Sequence, residues 1–333
     1  MSSLKHANIS VFVPHIGCPN MCSFCNQRHI TGSHKAPRPK DVRDAVKIAV
    51  SSKNYDPKNT EIAFFGGSFT AINRNYMISL LESAKDFVMD GTVSGIRIST
   101  RPDAIDDEIL EILKSYGVTS IELGAQSMDP RVLKMNNRGH TVTDVKNAAK
   151  LIKEHGFSLG IQMMTGLYCD SDELSIKTAE KIIKLSPDTV RIYPTIVLKD
   201  TDLSVLYTEK FYTPQSLDEA VNLASKLILM FHEANIEVIR LGLHSIEPDS
   251  YIAGPWHPAF SELCQSAVFL QKVKDQLTDK GNYNIYVNKS NTSKMIGQNR
   301  SNIKELENSG YFCKVMTDDT LGKFQIVVER SMG

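Results

Sequence analysis

Over the first two hundred positions, short apolar and β-branched runs alternate with stretches whose apolar residues recur every three to four positions. The runs at 9–13 (ISVFV), 61–65 (EIAFF), 96–100, 119–123, 157–163 and 189–193 predict six strands. Between them, helical spacing covers 42–50, 77–89, 106–116, 143–155 and 171–185. Asp106 suits a helix N-cap and Gly156 a helix C-cap. Alternation of this kind predicts parallel βα units, and runs apolar on both faces predict buried parallel strands. The fold class expected is therefore α/β, a partial (β/α)6 TIM-like barrel spanning residues 1–200. Residues 201–275 read as a C-terminal extension, with a helix over 216–234, a strand over 237–241 and a helix from Phe260. The polar stretch 278–284 reads as a linker inside a last small α/β unit, 276–333. Chemistry in such barrels gathers at the C-terminal strand ends. The cysteine loop after the first strand, Gly66-Gly67, the segment around Arg101, Gln126 and Gln162 all fall at or just past predicted ends.

Composition narrows the function classes. The chain has 333 residues with 38 basic and 38 acidic side chains, which excludes a polybasic protein but leaves room for a local basic patch. No apolar run approaches the roughly 20 residues of a membrane span, and the N-terminus lacks a signal-peptide pattern. A cytoplasmic enzyme without a membrane partner is expected.

Six cysteines are too few for a disulfide scaffold, but three of them, Cys18, Cys22 and Cys25, crowd into one loop. Three thiolates suit a four-iron cluster with one iron left open to a chelating ligand. Zinc is the alternative, with His15, His29 or His34 as a fourth ligand. Cys169, Cys264 and Cys313 lack CxxC pairing, so no second cluster is expected. Cys169 alone falls near the expected catalytic rim.

The CxxxCxxC spacing, with Phe24 before the last cysteine, resembles the radical S-adenosylmethionine (SAM) superfamily signature. Phe64-Phe65-Gly66-Gly67-Ser68-Phe69 resembles that superfamily's glycine motif. The segments Ser99-Thr100-Arg101-Pro102-Asp103, Ile121-Glu122-Leu123-Gly124-Ala125-Gln126-Ser127 and Asn137-Arg138-Gly139-His140-Thr141 resemble the radical SAM domain of the Elongator catalytic subunit. They also share features with oxygen-independent coproporphyrinogen III oxidase. The likeness covers about residues 7–200 and, more weakly, extends to about 275. It implies an enzyme with a [4Fe–4S] cluster on Cys18, Cys22 and Cys25. It also implies SAM held by Gly66, Gly67, Ser99, Gln126, Arg138 and Gln162. Ser99 stands where relatives commonly carry glutamate, so it keeps a hydrogen bond and loses a charge. A structural ion pair between Glu122 and Arg101 is expected beside these contacts, in even balance with a direct ligand role for them.

The implied reaction is reductive cleavage of SAM to methionine and a 5′-deoxyadenosyl radical, fed by a one-electron donor such as flavodoxin or ferredoxin. The residues after Asp275 are too few for the acetyltransferase domain of the Elongator subunit, so acetyl transfer by this chain alone is not expected. The tail instead resembles a KH-type RNA-binding module, with Gly297-Gln298-Asn299-Arg300 in place of its GxxG loop and Arg300 where the second glycine belongs. Action on RNA, tRNA above all, is the leading expectation. A small-molecule or tetrapyrrole substrate is the alternative, and a non-catalytic, cluster-containing RNA-binding protein is the third.

Overall fold

The structure is a computed structural model that describes residues 6–13, 22–26, 36–243 and 246–331. The predicted alternation is present. In chain order run β1 (Ala7–Val13), α1 (Pro39–Val50), β2 (Thr60–Gly66), α2 (Arg74–Met89), β3 (Gly95–Thr100) and α3 (Asp107–Ser115). Then come β4 (Val118–Gln126), α4 (Pro130–Met135), α5 (Val142–Glu154), β5 (Ser158–Thr165), α6 (Asp172–Ile183) and β6 (Thr189–Pro194). Helix starts follow their capping residues: Asp106, Thr141 and Ser171 each accept a backbone N–H from the first turn of α3, α5 and α6.

The extension contributes more to the barrel than its composition suggested. After β7 (Val197–Leu198), α7 (Asp202–Thr208) and α8 (Leu217–Glu233), strand β8 (Glu237–Leu241) joins the main sheet beside β6. The sheet therefore has seven parallel strands, in the order β1-β2-β3-β4-β5-β6-β8, rather than six. β9 (Tyr251–Ala253) pairs antiparallel with β7. α9 (Phe260–Lys274) leads to β10 (Gly281–Val287), α10 (Thr292–Ile296), α11 (Ser301–Asn308), β11 (Tyr311–Thr317) and β12 (Ile326–Arg330). These last strands form a separate sheet in the order β11-β10-β12. β10 begins at Gly281, so the polar linker expected over 278–284 is mostly strand, because Tyr283 and Ile285 turn inward and are buried. The hydrophobic core is continuous from the barrel through Phe269 and Val273 to Ile285, Met295 and Leu306. Asn302 fastens the junction by donating to the carbonyls of Ser266 and Met295 at 3.0 and 3.1 Å.

The sheet's outer face is apolar, with Ile62, Phe64, Ile96, Ile98, Ile121, Leu159 and Ile192 fully covered. Its inner face is charged. Strands lie about 4.8 Å apart, so β2 and β6, four steps apart, would be separated by about 19 Å in a flat sheet. Instead the Arg191 guanidinium of β6 stands 5.2 Å from the Phe65 ring of β2, so the sheet curls into an open barrel. The half-barrel leaves β1 at an edge, and ISVFV is not buried on both faces: Ser10 is exposed and Phe12 half-buried.

Within the lumen, Glu122 on β4 receives Arg191 Nη2 at 2.7 Å and Arg97 Nη1 at 3.2 Å. Arg97 also reaches Glu61 at 2.8 Å. Gly160 on β5 makes room, because a Cβ there would come within 2.9 Å of Glu122 Cγ. Burial would raise the Glu61 carboxyl, but hydrogen bonding from His6, the Arg97 charge and the Thr119 hydroxyl outweigh it and hold the group at about 2. The expected Glu122–Arg101 pair does not form: Arg101 lies beyond the end of β3 and forks onto Asp103 at 2.8 and 2.7 Å. Removing one member of a buried ion network leaves charges uncompensated. Glu122→Gln should lower the unfolding free energy by about 3–5 kcal/mol in urea titration. Arg74→Ala, which breaks the exposed Arg74–Glu108 pair, should cost less than about 1 kcal/mol.

Candidate active site

The described part of the cysteine loop holds Cys22 and Cys25; Cys18, like His15, His29 and His34, lies outside the described residues. The Cys25 N–H donates to the Cys22 carbonyl at 3.0 Å, a tight turn between the two cysteines. Two anchors seat it. The Ser23 N–H and hydroxyl donate to the Asn136 carbonyl and side-chain oxygen at 3.2 and 2.8 Å. The Ser23 carbonyl accepts from Leu203 N–H at 2.8 Å. Asn136 is wholly buried and also donates to Tyr168 O at 2.9 Å. Neither Ser23 nor Asn136 stood out in the sequence. The Asn-Asn-Arg-Gly run signalled a turn there, but not that the turn's first side chain would hold a loop 113 residues away.

Arg138 follows that turn and points back at the loop. Its Nη1 donates to Cys22 Sγ at 3.0 Å and its Nη2 to Gly124 O at 2.6 Å. Strand β4 ends on Gln126 in a γ-turn, with the Ser127 N–H donating to Ala125 O at 2.8 Å across a Gln126 φ of +65°. The positive-φ form of this turn is rare and costly for a residue with a side chain. Gln126 Oε1 and Arg138 Nε are both buried without a hydrogen-bond partner. Gly124 lies between them, since a Cβ on it would stand 3.1 Å from Gln126 Nε2 and 3.5 Å from Arg138 Nη2. Across the mouth, Gly66 has φ +118°, and a Cβ there would meet Val13 O at 2.5 Å. The Gly67 N–H donates to that same carbonyl at 2.8 Å. Unsatisfied buried polar atoms next to the cysteine loop suit a sulfur-ligated cluster and a zwitterionic ligand.

The sequence-predicted residues divide by depth. Gly66 and Gly67 lie at the end of β2, Gln126 ends β4, and Arg138 reaches Cys22. Gln162 lies inside β5 rather than at its end, Ser99 is the residue before the last of β3, and both donate to Glu122 Oε2, at 3.0 and 3.5 Å respectively. Cys169 follows β5 in a left-handed conformation (φ +62°). Cys264 is buried in the core, where desolvation pushes its thiol up.

His140 supports the mouth from beneath. Its Nε2–H donates to Ala125 O at 3.2 Å, steadying the same carbonyl that closes the Gln126 turn, while Nδ1 is buried without a partner. Burial, reinforced by the Arg138 charge, lowers His140 to about 4, so it is neutral at neutral pH. A depressed histidine pKa means that the unfolded chain takes up the proton first, so stability is lost as pH falls from about 6.5 toward 4. Across that window the protein should lose about 3 kcal/mol more unfolding free energy than His140→Gln, whose amide keeps the donor and does not titrate. Urea midpoints of both proteins at pH 7, 5.5 and 4 check this.

Residues 12–182 match the radical SAM superfamily and residues 187–268 the radical SAM C-terminal domain. A tRNA uridine(34) acetyltransferase of Dehalococcoides mccartyi (strain CBDB1) is 24% identical over 241 residues, covering 62% of this chain and 52% of that protein. Human Elongator complex protein 3 is 28% identical over 190 residues, covering 51% of this chain and 35% of that protein. The chain thus spans about half of the first relative's length and about a third of the second's. The solved archaeal Elp3 of Methanocaldococcus infernus shares the fold with a TM-score of 0.63 at 20% identity, covering 82% of this chain and 64% of that one. Among the described residues no helix is long and apolar enough to cross a membrane. With the superfamily matched across half of its length, this chain belongs to the radical SAM superfamily, as an enzyme whose cofactors are a [4Fe–4S] cluster and SAM.

Proposed function

We propose that this enzyme acts on RNA, with tRNA as the substrate class. The observation that carries the reading is the similarity through the barrel to proteins named for tRNA uridine(34) modification. When bound, the cluster and SAM supply a 5′-deoxyadenosyl radical by reductive cleavage of the sulfonium. Cys18, Cys22 and Cys25 hold the cluster in this reading. Gln126 Oε1 and Arg138 Nε, the open valences at the mouth, meet the amino-acid end of SAM, and the Gly66-Gly67 backbone approaches it closely. Ser99 and Gln162 act from below, on the charged floor around Glu122.

The work divides along the chain. Residues 1–200 carry the chemistry, 201–275 complete the barrel, and 276–333 hold the RNA. Support for the last assignment comes from the turn between α10 and α11. Gly297, Asn299 and Arg300 all have positive φ, at +79°, +52° and +61°. Arg300 thus keeps the left-handed backbone that a second glycine would adopt, at a conformational cost that points to use. Its ion pair with Glu307, at 3.8 Å between exposed partners, is worth less than about 1 kcal/mol and is readily exchanged for phosphate. An enzyme of tRNA works in the cytoplasm, with flavodoxin or ferredoxin as electron donor.

Two experiments test the reading. Anaerobically reconstituted, reduced protein should form 5′-deoxyadenosine from SAM, and Cys22→Ala should form none. A wild type that forms none would mark a cluster-containing RNA-binding protein instead. The wild type should also retain cellular tRNA in crosslinking, with Arg300→Ala reducing recovery several-fold; turnover on metabolites without RNA binding would favour a small-molecule or tetrapyrrole substrate. Separately, Gln126→Gly should relieve the turn and raise stability by up to about 1 kcal/mol. The same variant should weaken SAM binding in equilibrium dialysis by about tenfold, as loss of a hydrogen bond to a charged ligand would.

A further inference from the structure

The lumen holds more positive than negative charge, and the excess sits at its open side. Arg191 and Arg240 are register partners on β6 and β8, so their side chains leave the sheet on the same face. Arg191 faces inward, as its contacts with Glu122 and Phe65 require. Arg240 therefore faces the lumen too, from the edge strand where the barrel stands open. Of the buried and half-buried charges here, Arg97 bridges Glu61 and Glu122, and Arg191 is bound to Glu122. Arg240 is half-buried and has no carboxylate partner among the described residues; its Nε donates to Gly242 O at 3.2 Å. Glu237, earlier on the same strand, is exposed and forms no ion pair among the described residues.

Further open valences point to the same place. Arg191 Nε is buried without a partner. Tyr193, two residues further along the same face of β6, sets its hydroxyl against the Arg191 guanidinium, with Arg240 close by. Its burial keeps the phenol protonated, hence able to donate. A cation held partly out of water beside a second cation is unfavourable until an anion joins them. Guanidinium forks match phosphate oxygens, and a phosphodiester carries the single negative charge that the lumen lacks.

We propose that Arg240, Arg191 and Tyr193 form an oxyanion subsite at the open side of the barrel, which takes a phosphate group of the substrate. That the phosphate belongs to RNA rests on the function proposed above; the subsite itself does not. It sets how far into the barrel a substrate backbone can reach, with the target atom carried onward toward the mouth.

The test uses reconstituted full-length protein and two probes, sodium pyrophosphate and a tRNA anticodon stem-loop. Arg240→Gln should weaken pyrophosphate binding in calorimetry about tenfold, and Arg240→Lys, which keeps the charge but not the fork, should recover part of it. Stem-loop affinity should fall in parallel, and the slope of log Kd against log salt should decrease by about 0.7, as for one lost contact to a single strand. A residue with a merely structural role would leave that slope unchanged. Equal pyrophosphate affinity in wild type and Arg240→Gln overturns the subsite, even if the stem-loop still binds. Pyrophosphate loss in the variant, with no stem-loop binding by the wild type, keeps the subsite and removes RNA as its source of phosphate. Should the variant fail to fold, phenylglyoxal modification of the wild type decides: pyrophosphate should protect Arg240 at least fivefold by peptide mass spectrometry, and absence of protection overturns the proposal.

Discussion

Glu122 brings a negative charge into the lumen of an open barrel, and much of the inner face is arranged around it. Arg97 and Arg191 approach from strands on either side, Ser99 and Gln162 donate from the neighbouring ones, and Gly160 leaves the space. Each of these contacts spans one or more strands, so the network fixes how tightly the sheet curls. That curl in turn sets the distance between the glycine turn after β2 and the end of β4. An apolar lumen would be more readily stabilised, because buried ion pairs return little net free energy after desolvation. What the charges supply is definition: the network is satisfied in one arrangement of strands, and a slip of one residue would strand an arginine.

At the mouth, rigidity is distributed differently. The groups facing the prospective ligand are incompletely bonded, while the backbone behind them is tied down by several contacts. Gln126 and Arg138 keep open polar atoms. Behind them, Ala125 O accepts from both Ser127 and His140, and Asn136 links the cysteine loop to the Tyr168 segment. The backbone strain at Gln126 is sustained by this second set of contacts, a division expected where geometry has to exist before the ligand arrives.

Much of the architecture could be read from the chain because parallel strands with covered outer faces leave a strong apolar signal, and Asp106, Thr141 and Ser171 mark helix starts by local chemistry alone. Where the structure departs from the local pattern, the reasons are non-local. Strand β8 reads from the sequence as part of an extension because its membership in the barrel depends on β6, nearly fifty residues earlier. The stretch from Gly281 looked like a linker because its polar residues alternate with Tyr283 and Ile285, and only pairing with β11 and β12 makes that alternation a strand. The expected Glu122–Arg101 pair rests on two charges in or beside strands, yet Arg101 has a closer partner in Asp103. Arg97 and Arg191, the true partners, stand in the middle of apolar strands. A lone arginine in such a place is the one sequence signal that could have identified them. Motif spacing does not encode depth: the Ser99 and Gln162 side chains lie on the lumen floor, bonded to Glu122.

The anchoring of Ser23 has a consequence in time. Synthesis runs from the N-terminal side, so Cys22 and Cys25 leave the ribosome well before the residues that seat their loop. Asn136, which accepts both donors of Ser23, and Leu203, which donates to its carbonyl, emerge more than a hundred residues later. During that interval the thiols belong to a loop without its seat. At roughly 5–20 residues per second the wait lasts on the order of ten seconds or longer, ample for oxidation or for capture of a stray metal. Faithful loading thus belongs after synthesis, when the second half of the barrel has closed around the first.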